Sequence, residues 1–271
     1  MAELFVKQAK QYAEGRPTYP EELFHFIASK TPSRDLAWDV GTGSGQAAKS
    51  LASMYKSIVA TDTSEKQLEY ATALPNVRYK CTPPNMTMHQ LQTLVGKEST
   101  FDLITVAQAM HWFDLPAFYA QAKWLLKKPD GVIAAWCYTS PRVNATFDAL
   151  FDKLYYADFG PYMEKRIRLV DEEYRTIDFP FQAVDGGGGT GPLEFRAEKE
   201  MDLEGLLTML KSWSPYQTAK DKGVELLGED VVQKLRQAWN ENGEGHKLVG
   251  FPVFLRIGKV GTGAEPRGLH G

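Results

Sequence analysis

Gly41, Gly43 and Gly45 alternate with Thr42 and Ser44 directly after the apolar run Leu36-Ala37-Trp38-Asp39-Val40. Glycine reaches backbone angles closed to other residues and lets a ligand lie against the main chain. A buried strand opening into such a loop, with a helix expected from Gln46, suits a nucleotide-like group. A dinucleotide loop of the form G-x-G-x-x-G needs its third glycine at position 46, where Gln46 stands. Asp62 ends a second apolar run, Ser57-Ile58-Val59-Ala60-Thr61-Asp62. Nucleotide-binding α/β folds place an acid on the ribose hydroxyls about 20 residues past the glycine loop, and a carboxylate can accept both bonds. Helix capping is the other use for Asp62, although Thr63 or Ser64 could cap instead.

A third group, Gln108-Ala109-Met110-His111-Trp112-Phe113-Asp114, follows a later apolar run, Phe101 to Ala107. Ligands in open α/β sheets bind beyond the carboxyl ends of the strands. His111 is either a base or a hydrogen-bonded structural residue. Trp112 and Phe113 either face a ligand or pack under the next helix.

The elements that must position these residues are strands expected at Leu36–Val40, Ser57–Asp62, Val77–Cys81, Phe101 to Ala107 and Val132 to Trp136. Helices are expected between them at Glu21–Ser29, Gln46 to Tyr55, Glu65 to Leu74 and Pro116 to Lys128. That alternation predicts a doubly wound α/β domain with a mostly parallel sheet covered on both faces. From Pro141 the pattern changes to an aromatic-rich helix carrying Phe147, Leu150, Phe151, Leu154 and Tyr155 on one face. The glycine run at 186–189 is expected to end this insertion. A strand through Leu193, Phe195 and Ala197, helices near Asp202 to Lys211 and Asp230 to Trp239, and a last strand at Phe251 to Ile257 complete the reading. The whole is read as one domain over 1–271. It has an N-terminal segment 1–30, a core 31–140, a lid insertion 141–190, C-terminal strands and helices 191–260 and a disordered tail 261–271.

A composition of 43% hydrophobic and 24% charged residues argues against wholesale disorder. A net charge of -3 with mixed signs leaves no basic face, so no nucleic-acid partner is expected. No run approaches the ~20 apolar residues that span a bilayer, and the N-terminus lacks a secretory pattern, so no membrane partner and a cytoplasmic location are expected. Cys81 and Cys137 have no zinc spacing, and no metal site is expected.

Taken together, the loop, Asp62 and the Gln108–Asp114 segment resemble class I S-adenosylmethionine-dependent methyltransferases. The resemblance is closest to the small-molecule branch of trans-aconitate methyltransferases and their plant embryo-abundant relatives. It extends from about Tyr12 to Val260. Tyr12-Ala13-Glu14-Gly15-Arg16-Pro17-Thr18-Tyr19-Pro20 matches that branch's Y-x-x-x-R-P-x-Y-P segment, and Trp136-Cys137-Tyr138 and Ser212-Trp213-Ser214-Pro215-Tyr216 look plant-like. The resemblance implies a Rossmann-like, seven-stranded sheet with an antiparallel last strand and a helical lid. It implies S-adenosylmethionine as cofactor, held by Asp39, Gly41, Gly43, Gly45, Asp62, Thr63, Asn85, Met86, Gln108 and Ala109. Relatives usually carry an acid after the third strand; here Pro83-Pro84-Asn85-Met86 stands there, so adenine recognition falls to Asn85 and Met86. His111, Tyr12 and Arg16 are the implied catalytic group, with Trp112 and Tyr138 toward the substrate. The expected acceptor is a small molecule, preferably a carboxylic acid, which needs no base; a hydroxyl or amine would want one, and His111 is placed for that. Arg142, Arg166, Arg168 and Arg175 could clamp an anionic substrate. A monomer or weak homo-oligomer is expected. A nicotinamide-dependent oxidoreductase and a non-catalytic binding protein of the same fold are the rival readings.

Overall fold

The computed structural model describes residues 18–262 apart from Gly187, Asn242 and Glu244. Tyr12, Arg16 and the tail from 263 onward lie outside the described residues. Four mainly apolar runs form strands β1 (Leu36–Val40), β2 (Ser57–Asp62), β4 (Leu103–Ala107) and β5 (Val132–Tyr138), and an alternating run with Arg78 and Lys80 forms β3 (Val77–Cys81). All pair in parallel: Leu36 faces Ser57, Ile58 faces Val77, Ala37 faces Leu103, and Leu103 faces Val132. Two further strands, β6 (Leu193–Met201) and β7 (Lys247–Lys259), extend a seven-stranded sheet ordered β3-β2-β1-β4-β5-β7-β6.

The last two strands are antiparallel. The amide of Val260, just past β7, bonds the carbonyl of Gly131 before β5, whereas Thr139 after β5 bonds Pro252 within β7. Along β6 the same reversal shows, since Ile257 donates to Thr190 and the Arg196 guanidinium lies under Gly250. The mostly parallel sheet with antiparallel final strands expected from the sequence is therefore present, with β7 longer than Phe251 to Ile257.

Helices cover the parallel strands: α1 (Glu21–Ser29), α2 (Gln46–Leu51), α3 (Glu65–Leu68), α4 (Met88–Leu94) and α5 (Leu115–Leu125). Three expected helices are shorter than predicted, α5 ending at Leu125 rather than Lys128. α2 ends at Leu51 rather than Tyr55. α3 is one turn instead of the run to Leu74, and none of its residues is buried. A short helix without an apolar face to dock is marginal in water, so the chain leaves the helical path there.

At the amino ends of β1 and β4, Asp102 ties the sheet together. Its fully buried carboxylate accepts from Ser33 Oγ, from the amides of Asp35 and Leu36 at 2.9 Å each, and from Lys127 Nζ at 2.6 Å. Burial pushes this carboxyl up, but the Lys127 ammonium, the Ser33 hydroxyl and the two amides outweigh it and hold it below the usual carboxylate range.

The chain divides into two units. One comprises Glu21–Cys137, Glu172–Phe195 and Phe254–Gly271 and contains β1 to β4, most of β5 and α1 to α5. The other comprises Met1–Pro20, Tyr138–Asp171 and Arg196–Val253. In it α6 (Ala145–Lys153) continues into a π-helical turn at Leu154–Phe159, followed by α7 (Arg168–Asp171), α8 (Leu203–Lys211), α9 (Ser214–Asp221) and α10 (Glu229–Asn240). Its core is aromatic: Phe147 meets Trp239 edge-on at 5.7 Å, and Trp213 receives Phe151, Tyr155 and Phe159 at 6.0–6.3 Å. Residues 141–190, read as one insertion, are thus shared between the units.

Candidate active site

The strand order reverses between β1 and β4, and the carboxyl ends of β1 to β4 carry every candidate of the first unit. In open α/β sheets the crevice at such a reversal is where ligands bind. Gly41, Gly43 and Gly45 have φ of 67°, 57° and 82°, all left-handed. At Gly41 an added Cβ would lie 2.7 Å from Ala109 Cβ. At Gly45 it would lie 2.6 Å from Tyr79 Oη, an atom that is buried and has no hydrogen-bond partner among the described residues. At Gly43 the nearest protein atom to an added Cβ is Gln67 Oε1 at 3.6 Å, so here the main chain is not crowded by the protein itself.

Asp39 sits wholly buried beneath this loop and accepts from the Thr42 hydroxyl and from Thr105 Oγ1 at 2.7 Å. Burial pushes its carboxyl up to about 6, against the Thr42 and Thr105 hydroxyls and the Ala48 amide, with the nearby Asp62 charge adding to the rise. Asp39 therefore braces the loop from inside.

Asp62, half-buried at the end of β2, grips the loop from the other side. Its Oδ2 accepts from the Gly43 amide and its Oδ1 from the Ser64 amide, each at 2.8 Å. Ser64 caps α3, accepting from the Gln67 amide at 3.3 Å, so Asp62 is not needed as the cap. A carboxylate offers about four lone-pair sites, which leaves capacity on both oxygens. Thr63 is exposed, and its carbonyl lies 3.7 Å from the Cys81 thiol. Beyond β3, Asn85 is exposed; Met86 is half-buried, its carbonyl held by Gln121 Nε2 at 2.6 Å.

At the end of β4, Gln108 adopts φ 55° and donates its amide to the Trp136 carbonyl at 2.8 Å. Non-glycine residues rarely occupy that region, and such outliers cluster at functional sites. The bend turns Ala109 against Gly41. A single 3₁₀ turn, Met110–Trp112, follows and separates its two aromatic residues. His111 is 4% exposed, with Nδ1 2.9 Å from Tyr174 Oη, while Trp112 is 45% exposed. Phe113 packs on Phe118 at 4.9 Å between ring centroids and approaches Gly41. Phe113 thus packs under the next helix, while Trp112 stands 45% exposed.

Tyr138, the last residue of β5, belongs to the second unit, where its ring meets Phe251 edge-on at 5.9 Å and Tyr19 at 6.3 Å. Two of the four arginines considered as anion clamps are committed to carboxylates. Arg142 bonds both oxygens of Asp152 at 2.9 Å, and Arg175 reaches Glu173 at 2.6 Å.

Two neighbours were not legible beforehand. Tyr79, on β3, restricts position 45 to glycine, and Tyr174 engages His111 from far along the chain. Neither carries a local sequence signal, because both act through contacts that only the assembled sheet creates.

A glycine cradle at the exit of β1, a carboxylate at the exit of β2 and a strained turn at the exit of β4 define an α/β fold for a nucleotide-like ligand. A family model described as a methyltransferase domain matches residues 38–135, which include all three features. A Dictyostelium discoideum protein named as a methyltransferase is 32% identical over 257 residues, covering 93% of this chain and 92% of its own. A Saccharomyces cerevisiae relative named as an S-adenosylmethionine-dependent methyltransferase is 27% identical over 138 residues, covering 49% of this chain and 46% of its own. A solved structure from Anaeromyxobacter dehalogenans, described as a type II methyltransferase, aligns with a TM-score of 0.76 at 31% identity, covering 90% of this chain and 97% of that one. The chain belongs to the class I S-adenosylmethionine-dependent methyltransferases.

Proposed function

We propose that the chain methylates a small-molecule carboxylic acid, in the branch that includes trans-aconitate methyltransferases and plant embryo-abundant relatives. The observation that carries the reading is Asp62, which ties the glycine loop through Gly43 to the start of α3 through Ser64 with one bond on each oxygen, and so leaves both carboxylate oxygens able to accept from a vicinal diol. The left-handed Gly43, with space where a side chain would stand, fits the same ligand. Bound there, S-adenosylmethionine would supply an electrophilic methyl group, its sulfonium sulfur leaving as the neutral thioether when the methyl passes to an acceptor lone pair. Asp62 holds the ribose hydroxyls, and Gly41, Gly43 and Gly45 let the cofactor's amino-acid end approach the main chain. Asp39 fixes the loop from below. Ala109 and the bend at Gln108 shape the wall, with Thr63, Asn85 and Met86 toward the adenine. The mixed surface charge of a chain with net charge -3 favours a small acceptor over a nucleic acid. Catalysis then consists mainly of positioning and of excluding water.

Asp62→Ala is expected to weaken binding of S-adenosylhomocysteine by about 1–3 kcal/mol, the scale for losing charge-assisted hydrogen bonds. Calorimetric titration reads this directly, and an unchanged affinity removes Asp62 from the site. The reaction itself is tested by incubating the protein with methyl-labelled cofactor and a panel of mono-, di- and tricarboxylic acids. A methyl ester releases its label as methanol in base, which is the expected result. Base-stable label rules out the carboxylate acceptor. Bound cofactor with no label transferred to any of these acids likewise rules out the carboxylate acceptor.

A further inference from the structure

His111 can act as a base only through an unprotonated ring nitrogen, and its contact with Tyr174 bears on which nitrogen that is. In a neutral imidazole one nitrogen carries the proton and the other accepts. Tyr174 Oη lies 2.9 Å from His111 Nδ1, with both side chains buried. Of the two ways to place the shared proton, the phenol hydroxyl is the better donor and the imidazole lone pair the better acceptor. That pairing, with Tyr174 O–H donating to Nδ1, goes with a ring proton on Nε2.

Tyr174 is held in place by more than this one bond. It and Glu173 both adopt left-handed backbone, with φ of 57° and 58°, which non-glycine residues keep only where the surroundings impose it. The buried Arg256 on β7 imposes it here. Its Nη1 donates to the Tyr174 carbonyl at 2.7 Å and to the Ile177 carbonyl at 3.2 Å. Its Nε and Nη2 reach the carbonyl and hydroxyl of Thr190, each at 3.1 Å, and the guanidinium lies over the Phe179 ring at 5.0 Å. A rigid arginine fork of this kind fixes the backbone from which the tyrosine hydroxyl projects.

We propose that Tyr174, anchored by Arg256, is a positioning residue that holds His111 as the Nε2–H tautomer, so that His111 donates hydrogen bonds and does not abstract protons. The inference rests on the methyl transfer proposed above and narrows its acceptor. A hydroxyl or amine acceptor must lose a proton to a base, whereas a carboxylate arrives ionised at neutral pH. With Nδ1 occupied by the tyrosine hydroxyl, the site suits an acceptor that is already an anion.

The test is a two-bond proton–nitrogen correlation spectrum of histidine-¹⁵N-labelled protein at neutral pH, with His111→Gln identifying the His111 signals. The expected pattern shows Nδ1 as the bare, pyridine-like nitrogen and Nε2 as the protonated one. In folded Tyr174→Phe the two signals should move toward each other as the second tautomer becomes populated. A protonated Nδ1 in the wild-type protein overturns the proposal, as does a Tyr174→Phe spectrum in which the His111 signals do not move. The wild-type spectrum decides the matter even if the variant fails to fold. Binding of S-adenosylhomocysteine to the wild-type protein separates the two failures. Without it the methyltransferase reading falls; with it, a reversed tautomer defeats only the present inference. Preferential turnover of alcohols or amines over carboxylic acids also overturns the acceptor assignment.

Discussion

Gly41→Ala is expected to destabilise the protein by about 2–5 kcal/mol and to weaken cofactor binding by more than tenfold. Two costs combine. A left-handed backbone costs an L-residue roughly 1–2 kcal/mol, and Gly41 has φ 67°. Overpacking a filled site costs about 1–3 kcal/mol more, and the new methyl would lie 2.7 Å from Ala109 Cβ with Phe113 Cζ at 3.6 Å. Phe113 is wedged against Phe118 and has little room to retreat. The packing share can be isolated with Ala109→Gly in a double-mutant cycle followed by denaturant unfolding. The pair should show a favourable coupling of about 1–3 kcal/mol, because removing one methyl makes room for the other. Additive effects would show that the close approach of the β1 and β4 loops is not what demands glycine at position 41.

The second large effect is pH-dependent. Asp39 is raised from 3.8 to about 6 by burial. Between those values the folded protein binds a proton that the unfolded chain has released, so stability falls as pH rises. The contribution is complete below about pH 4 and is lost as pH passes through 6. Two pKa units correspond to about 3 kcal/mol. Asp39→Asn removes this titration while keeping a side chain that can bond both Thr42 and Thr105. Unfolding free energies measured by urea from pH 4 to 7 should therefore shift in favour of the variant by about 3 kcal/mol as pH increases. A difference between the two proteins that stays flat over this range would show that Asp39 is not the group responsible. The loop above the carboxylate makes the result relevant to function, since Asp39 secures Thr42 between two of the glycines.

Strands β1 and β2 are legible to the residue because each is a mainly apolar run ending at an acid or a glycine loop, and β3 because Val77, Tyr79 and Cys81 alternate with Arg78 and Lys80 after the turn at Pro75-Asn76. Helices are less so, and for a physical reason in each case. The pattern from Glu65 to Leu74 looks helical, yet the structure docks none of α3 into the core and the helix stops after one turn. α4 has no apolar period, because its one buried residue is Leu91. Its signal was in the capping instead: Thr87 and Gln90 form a reciprocal capping box that apolar periodicity does not register. α9 likewise has its signal at its start, where Pro215 stands in the first turn. At the site, the glycines and Asp62 could be read because their geometry is local, strand to loop to strand end. The burial of His111 could not, since its partner Tyr174 follows 63 positions later and reaches it only through the assembled fold.

The knot at Asp102 has a bearing on how such a protein can be altered. It gathers Ser33, Asp35, Leu36 and Lys127 at the amino ends of β1 and β4, the end of those strands away from every candidate ligand contact. Anchorage and recognition thus occupy opposite termini of the same two strands. An engineer could vary the turn around His111 and Trp112, seeking a new acceptor, without touching the groups that hold the strands in register. The same separation gives natural lineages room to drift in specificity while the scaffold stays put.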